Sequence, residues 1–176
     1  MSTLWSKVLE SFVAEFTIQE TKEGWKRSQH GGQRGSSMEH VLIETWDIIL
    51  RNLDSSKDCK AVVMTALDFS KSFSKCTYKE ILAAYARLGA SEWLLKMHLT
   101  FLQEWNKIVK VGTITSEPVL ITGGVVQGSV LGILDHNAVQ ESLDDDLTDL
   151  QVNKYINDIT LVEAIKKDIY LSLIHI

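Results

Sequence analysis

The run AVVMTAL, Ala61 to Leu67, constrains the fold more than any other stretch, because it is apolar or β-branched throughout and stops abruptly at Asp68. Such a run without polar alternation predicts a strand buried on both faces. Two further β-like runs, QVNKYI and ITLVE, lie near the end of the chain with Asn157 and Asp158 between them, a spacing that predicts a hairpin. Two shorter strands, Ile108 to Gly112 and Val119 to Thr122, flank a turn that contains the only proline, Pro118.

Helical patterns fill the intervals. The opening STLWSKVLESFVAEF spaces Leu4, Val8, Leu9, Phe12, Val13 and Phe16 as one apolar face, which predicts an amphipathic helix packed on the core. Residues Thr21 to Ser37 are polar and glycine-rich and read as a solvated loop, with contact to a nucleic-acid backbone as the sharper alternative. Within it, Lys22, Lys26, Arg27 and Arg34 alternate with Trp25 and His30, the one basic cluster with aromatic company. Ser36 and Glu39 form a capping-box pattern ahead of a helix from about Met38 to Leu53, with Leu42, Trp46, Ile49, Leu50 and Leu53 on one face. Thr77 and Glu80 repeat that pattern, Gly89 supplies a left-handed C-cap, and Ser91 caps a further helix. GGVVQGSVLG, Gly123 to Gly132, is too glycine-rich for a strand and leads into a helix near Ser129. Helices and an antiparallel sheet in this order predict an α+β fold.

The 176 residues, 45% hydrophobic and 23% charged, suffice for one core. A net charge of −5 argues against a free-standing nucleic-acid binder, which carries a basic face to meet phosphate. Cys59 and Cys76 have neither zinc-site spacing nor disulfide density, which fits a reducing, intracellular compartment. The longest apolar stretch, Val119 to Leu134, is broken by Thr122, four glycines, Gln127 and Ser129, so no membrane span is expected. Lys7, Glu10 and Glu15 interrupt any signal-peptide core. The acidic run Asp144 to Asp146 lacks calcium-loop spacing and reads as solvated surface.

An acid ending a strand, Asp68, and an acid in a hairpin turn, Asp158, are the residues with chemical potential. Carboxylates converging from separate strands are what two-metal phosphoryl transfer requires, with the cations about 3.5 to 4 Å apart. Each acid alone is more simply explained by backbone preference, since aspartate is common at strand ends and turns.

The order of the motifs is more specific. SQHGGQRGSS followed by EHVLIETWDIIL resembles the Q-x-G-x-R-x-G-x-S segment of non-LTR retroelement polymerases. LDFSKSF resembles motif A of reverse transcriptases, GGVVQGSVLG motif B (usually G-x-P-Q-G-S-x-L-G), and KYINDITLVE motif C (usually Y-x-D-D-x-T-L). The chain is thus similar to the reverse transcriptase of a non-LTR, LINE-like (jockey-like) element over about Leu4 to Glu163. The resemblance implies a palm-type antiparallel sheet with packed helices, with incomplete fingers and no thumb. Residues 1–37 would be a residual fingers helix and loop, 38–170 a palm fragment, and 171–176 (LSLIHI) a translated sequencing adapter.

It further implies Asp68 and Asp158 as ligands of two Mg²⁺ ions, the Phe69 carbonyl as a further ligand, and Phe73 as a steric gate against a ribose 2′-hydroxyl. Gln127 and Gly128 would contact the nucleotide and the template base. The partners implied are an RNA template, a DNA primer and deoxynucleotides, without a membrane, and the reaction is attack of a primer 3′-hydroxyl on an α-phosphate. Two departures stand out. Motif C reads Tyr155, Ile156, Asn157, Asp158, so an amide replaces its first carboxylate, and Val126 replaces the motif B proline. The Asn157 amide tolerates a left-handed turn while removing an anionic ligand, so the hairpin is expected to persist and activity to fall severely. The alternative is a non-catalytic nucleic-acid-binding remnant or an inert pseudogene product.

Overall fold

The computed structural model describes residues 4–55, 59–103, 105–147 and 150–166. In chain order the elements are α1 (Leu4–Glu20), α2 (Met38–Ser55), β1 (Cys59–Asp68), α3 (Ser72–Lys75), α4 (Tyr78–Arg87), α5 (Glu92–Leu102), β2 (Asn106–Lys107), β3 (Lys110–Val111), β4 (Ile114–Thr115), β5 (Val119–Leu120), α6 (Val130–Gln140), β6 (Gln151–Tyr155) and β7 (Asp158–Lys166). Short 3₁₀ turns occupy Lys22–Gly24 and Glu141–Asp146. The architecture is α+β, and the chain divides into two compact units: the described residues of Met1–Trp25 and Lys71–Ser142, and those of Lys26–Ser70 and Leu143–Ile176. The adapter-like tail lies outside the described residues.

The first unit is helical. Its core gathers Ile81, Ala84 and Tyr85 from α4 with Leu102, Val125 and Ala138. The local signals hold: Thr77 and Glu80 make a reciprocal capping box, the Ser91 hydroxyl accepts from the Leu94 amide, and Gly89 has φ +92° after α4. The helix expected near Ser129 begins there as α6, with the Ser129 hydroxyl accepting from the Gly132 amide. In place of one hairpin over residues 108–122, two small ladders form, β2 with β5 and β3 with β4.

The predicted burial of α1 is inverted. Leu4, Leu9 and Phe12 are 65% or more exposed, whereas Glu10, Ala14 and Thr17 are buried. The reason is polar. The Glu10 carboxylate accepts from the Val130 amide at 2.7 Å, satisfying the N-terminus of α6, and Thr17 Oγ1 lies 3.0 Å from His98 Nε2.

The second unit is a three-stranded antiparallel sheet in the order β1-β7-β6, against which α2 packs. The central strand is β7, with Ile159, Val162 and Ile165 buried. The expectation that AVVMTAL is buried on both faces fails: every residue of β1 is exposed or half-buried. The apolar run builds the edge strand, bonded only to β7 among the described residues, while its expected central place belongs to β7. α2 likewise buries Val41 and Thr45 and leaves Leu42, Trp46, Leu50 and Leu53 exposed. Its start departs from the Ser36 box, because the Ser36 hydroxyl lies 2.9 Å from His30 Nδ1 and the first helical amides bond to the Ser37 carbonyl.

Candidate catalytic carboxylates and the turn that carries them

β1 and β7 pair over their whole length, and the ladder ends with Asp68 opposite Asp158. Residues directly opposite in an antiparallel pair point to the same face, with Cβ atoms about 4.5–5.5 Å apart. Both carboxylates are solvent-exposed, so they can face a cation without prior desolvation. Phe69, one residue past the strand, is 40% exposed. Asn157 is half-buried in the turn beside them.

Tyr155 also pairs with Asp158, leaving a two-residue turn of Ile156 and Asn157, one residue earlier than the Asn157–Asp158 turn expected from the sequence, so Asp158 is the first residue of β7 and not a turn acid. Its left-handed residue is Ile156, at φ +58°, and not Asn157 as the side-chain preference suggested. A β-branched residue there is a genuine outlier costing on the order of 1–3 kcal/mol, and it persists only when the surroundings over-determine it. They do so here through the segment expected to be a solvated loop. Residues 28–30 run alongside β6, with the Lys154 amide donating to the Ser28 carbonyl at 2.7 Å and the His30 amide donating to the Lys154 carbonyl at 2.8 Å. Gln29, His30 and Gly31 are buried as a result.

From that position the Gln29 side chain brackets the turn. Its Oε1 accepts from the Ile156 amide at 3.0 Å and from the Gly31 amide at 2.8 Å, and its Nε2 donates to the Ile156 carbonyl at 3.3 Å. Gly31 permits the approach, since a Cβ there would lie 2.4 Å from both the Ile156 amide nitrogen and its Cγ1. Sequence reading placed Gln29 and Gly31 only inside a family-like motif. The usable signal was the Q-x-G spacing, which marks a backbone that must pass close to another chain segment.

Phe73, Gln127 and Gly128 belong to the other unit. Phe73, in α3, is half-buried and stacks on His136 with ring centroids 4.2 Å apart. Its carbonyl accepts from the Val125 amide at 2.8 Å, and the Cys76 carbonyl accepts from the Gly124 amide at 2.6 Å. The α3 backbone and the glycine-rich loop before α6 are therefore fastened together. Gln127 and Gly128 are exposed beyond that junction, with Gly128 at φ +83°. The Ser129 hydroxyl closes the loop by donating to the Val126 carbonyl at 2.7 Å, and Gly132 is required because a Cβ would lie 2.4 Å from that carbonyl oxygen.

The same unit holds a buried polar network that sequence reading missed. Asp135 Oδ1 accepts from the Tyr85 hydroxyl at 2.9 Å, and His98 Nδ1 lies 3.2 Å from the same oxygen. All three side chains are fully buried. Burial and the neighbouring Asp135 push the Tyr85 phenol well above its ordinary value. Asp135 and His98 read as ordinary members of apolar helices, and only tertiary packing brings them together.

Among the described residues no three His, Cys, Asp or Glu side chains cluster as a metal site, and no helix is long and apolar enough to cross a membrane. The two carboxylates at the strand end fit a single hard cation, since Mg²⁺ is commonly held by one or two carboxylates with substrate phosphates completing the sphere.

No protein-family model and no curated protein matches the sequence. The fold is matched by solved structures. A telomerase from Candida tropicalis, in complex with the TWJ fragment of telomeric RNA, aligns at TM-score 0.70 with 11% identity over 91% of this chain and 29% of its own. Apo telomerase from the same organism, truncated from its C-terminal domain, aligns at TM-score 0.65 with 12% identity over 92% of this chain and 35% of its own. The chain thus spans about a third of the telomerases it matches, and its fold is reverse-transcriptase-like.

Proposed function

We propose that this chain is the palm fragment of a retroelement reverse transcriptase whose metal site is impaired by Asn157. The observation that carries the reading is the cross-strand pairing of Asp68 with Asp158 at the mouth of a two-residue hairpin. The motif order supports it, as do the reverse-transcriptase-like fold and the junction between the Phe73 and Val125 backbones.

In this reading Asp68, Asp158 and the Phe69 carbonyl would hold Mg²⁺, which supplies charge stabilisation to the attacking and leaving oxygens of phosphoryl transfer. Phe73 would stand against the ribose 2′ position, and Gln127 and Gly128 would line the path of the nucleotide and template. Deoxynucleotides would be added to a DNA primer on an RNA template. Asn157 supplies a neutral amide oxygen where a carboxylate is expected, so a cation would be held by two negative charges instead of three. Loss of an outer-shell metal partner costs about 10- to 100-fold, and loss of a direct carboxylate costs at least that.

Primer extension tests the reading, with this palm grafted into an intact related polymerase as found and with Asn157→Asp. Extension by the Asn157→Asp graft alone, at least about 100-fold above the parent, supports an impaired metal site. Comparable extension by the parent refutes the impairment. Failure of both refutes the polymerase reading for this palm, provided the host polymerase with its own palm extends the primer under the same conditions.

A further inference from the structure

The two acids are not placed by their own strands alone. Asp158 follows a turn whose backbone is unfavourable for the residue that occupies it, and the hairpin register sets Asp158 opposite both Tyr155 and Asp68. Relaxation of Ile156 to negative φ would redirect the chain at the first residue of β7. What opposes that relaxation is a side chain from outside the hairpin, over 120 residues earlier in sequence.

We infer that Gln29 is a positioning residue for the carboxylate site, latching the Ile156 peptide so that Asp158 stays in register with Asp68. The inference deepens the polymerase reading and rests on it for its functional meaning. Three observations converge. Gln29 is 2% exposed, so its amide has no competing water. Both amide ends are used on a single peptide-bearing residue, Oε1 on the Ile156 N–H and Nε2 on the Ile156 carbonyl, which reads the orientation of that residue and not merely its presence. The third is Gly31: its amide donates to the same Oε1, and its missing side chain makes room for Ile156, so the Q-x-G spacing is one device. A leucine or methionine at position 29 would fill the space without fixing the turn.

The latch is also independent of Asn157. It grips the residue before it, so a chain that has lost the first motif C carboxylate keeps the geometry of the second. Restoring the acid by Asn157→Asp should therefore restore a site that is already shaped for it.

The test uses the full chain, isotope-labelled, in four forms: parent, Gln29→Ala, Ile156→Gly and the double variant. Two backbone signals report the latch without any metal: hydrogen exchange at the Ile156 amide and the cross-strand Overhauser contact between Asp68 and Asp158. Gln29→Ala is expected to speed exchange at Ile156 by about tenfold or more and to weaken the Asp68–Asp158 contact, while contacts between Val63 and Glu163 persist. Glycine accepts positive φ at little cost, so the contact is expected to return in the double variant. If Gln29→Ala leaves both signals unchanged, or if the contact is equally lost in the Ile156→Gly background, the latch is refuted. Should Gln29→Ala fail to fold, the double variant decides: recovery of the hairpin supports the latch and continued unfolding overturns it. Mn²⁺ added to the parent separates the two readings, because broadening at Asp68 and Asp158 tests the carboxylate site. Its absence would count against the metal reading while the Overhauser arm still judges Gln29.

Discussion

Removal of Asp135 probes the helical unit most severely. In Asp135→Ala the Tyr85 hydroxyl loses its acceptor at 2.9 Å in a fully buried position. Each buried donor left without a partner costs about 1–3 kcal/mol. A loss of about 2 kcal/mol is therefore expected, a sizeable part of the roughly 5–15 kcal/mol that holds a domain together. Asp135→Asn keeps an acceptor for Tyr85 and should lose only about 1 kcal/mol. Urea unfolding followed by tryptophan fluorescence reads the difference, since Trp5, Trp25, Trp93 and Trp105 all lie in this unit. A loss below about 1 kcal/mol for Asp135→Ala would mean that the network is solvated and that its burial is misjudged.

Other expectations follow from the same geometry. Asp68 and Asp158 are like charges directly opposite, so Asp68→Asn should raise stability by about 0.2–1 kcal/mol while weakening Mn²⁺ binding; a destabilised variant in thermal unfolding would argue that the pair is not in register. Gly31→Ala forces a methyl group into the Ile156 backbone and should cost about 1–3 kcal/mol by denaturant unfolding, and a neutral result would remove the close approach. His136 is buried, its Nδ1 has no hydrogen-bond partner among the described residues, and burial holds its pKa below the ordinary 6.5. The unfolded chain therefore takes up the proton first, so this contribution to stability is complete above pH 6.5 and is lost as pH falls below it. His136→Phe should flatten that part of the pH profile, and parallel profiles would refute the assignment.

Whatever depends on a few neighbouring residues was legible before folding is considered. Thr77 with Glu80, Ser91, Ser129 and Gly89 set helix ends because a cap is a hydrogen bond across three residues or a backbone angle that glycine adopts freely. A two-residue hairpin was legible for the same reason, though one residue out of place, since its turn is Ile156–Asn157 and not Asn157–Asp158, and the order of the motifs carried the α+β fold. Burial was not legible. The apolar stripe of α1 predicted its core face, yet Glu10 and Thr17 are inside because a helix N-terminus and a buried histidine wait for them elsewhere in the unit. AVVMTAL reads like a central strand but lies at an edge, because strand order is decided by pairing with β7, nearly a hundred residues later. The candidate site shows the same division. Asp68 and Asp158 announce themselves as acids at a strand end and near a hairpin, but that Asp158 opens β7 opposite Asp68 is a matter of register. The residue that bears the left-handed turn, Ile156, is chosen by Gln29 and Gly31 against its own preference, since tertiary hydrogen bonds to a buried amide outweigh the local cost of positive φ.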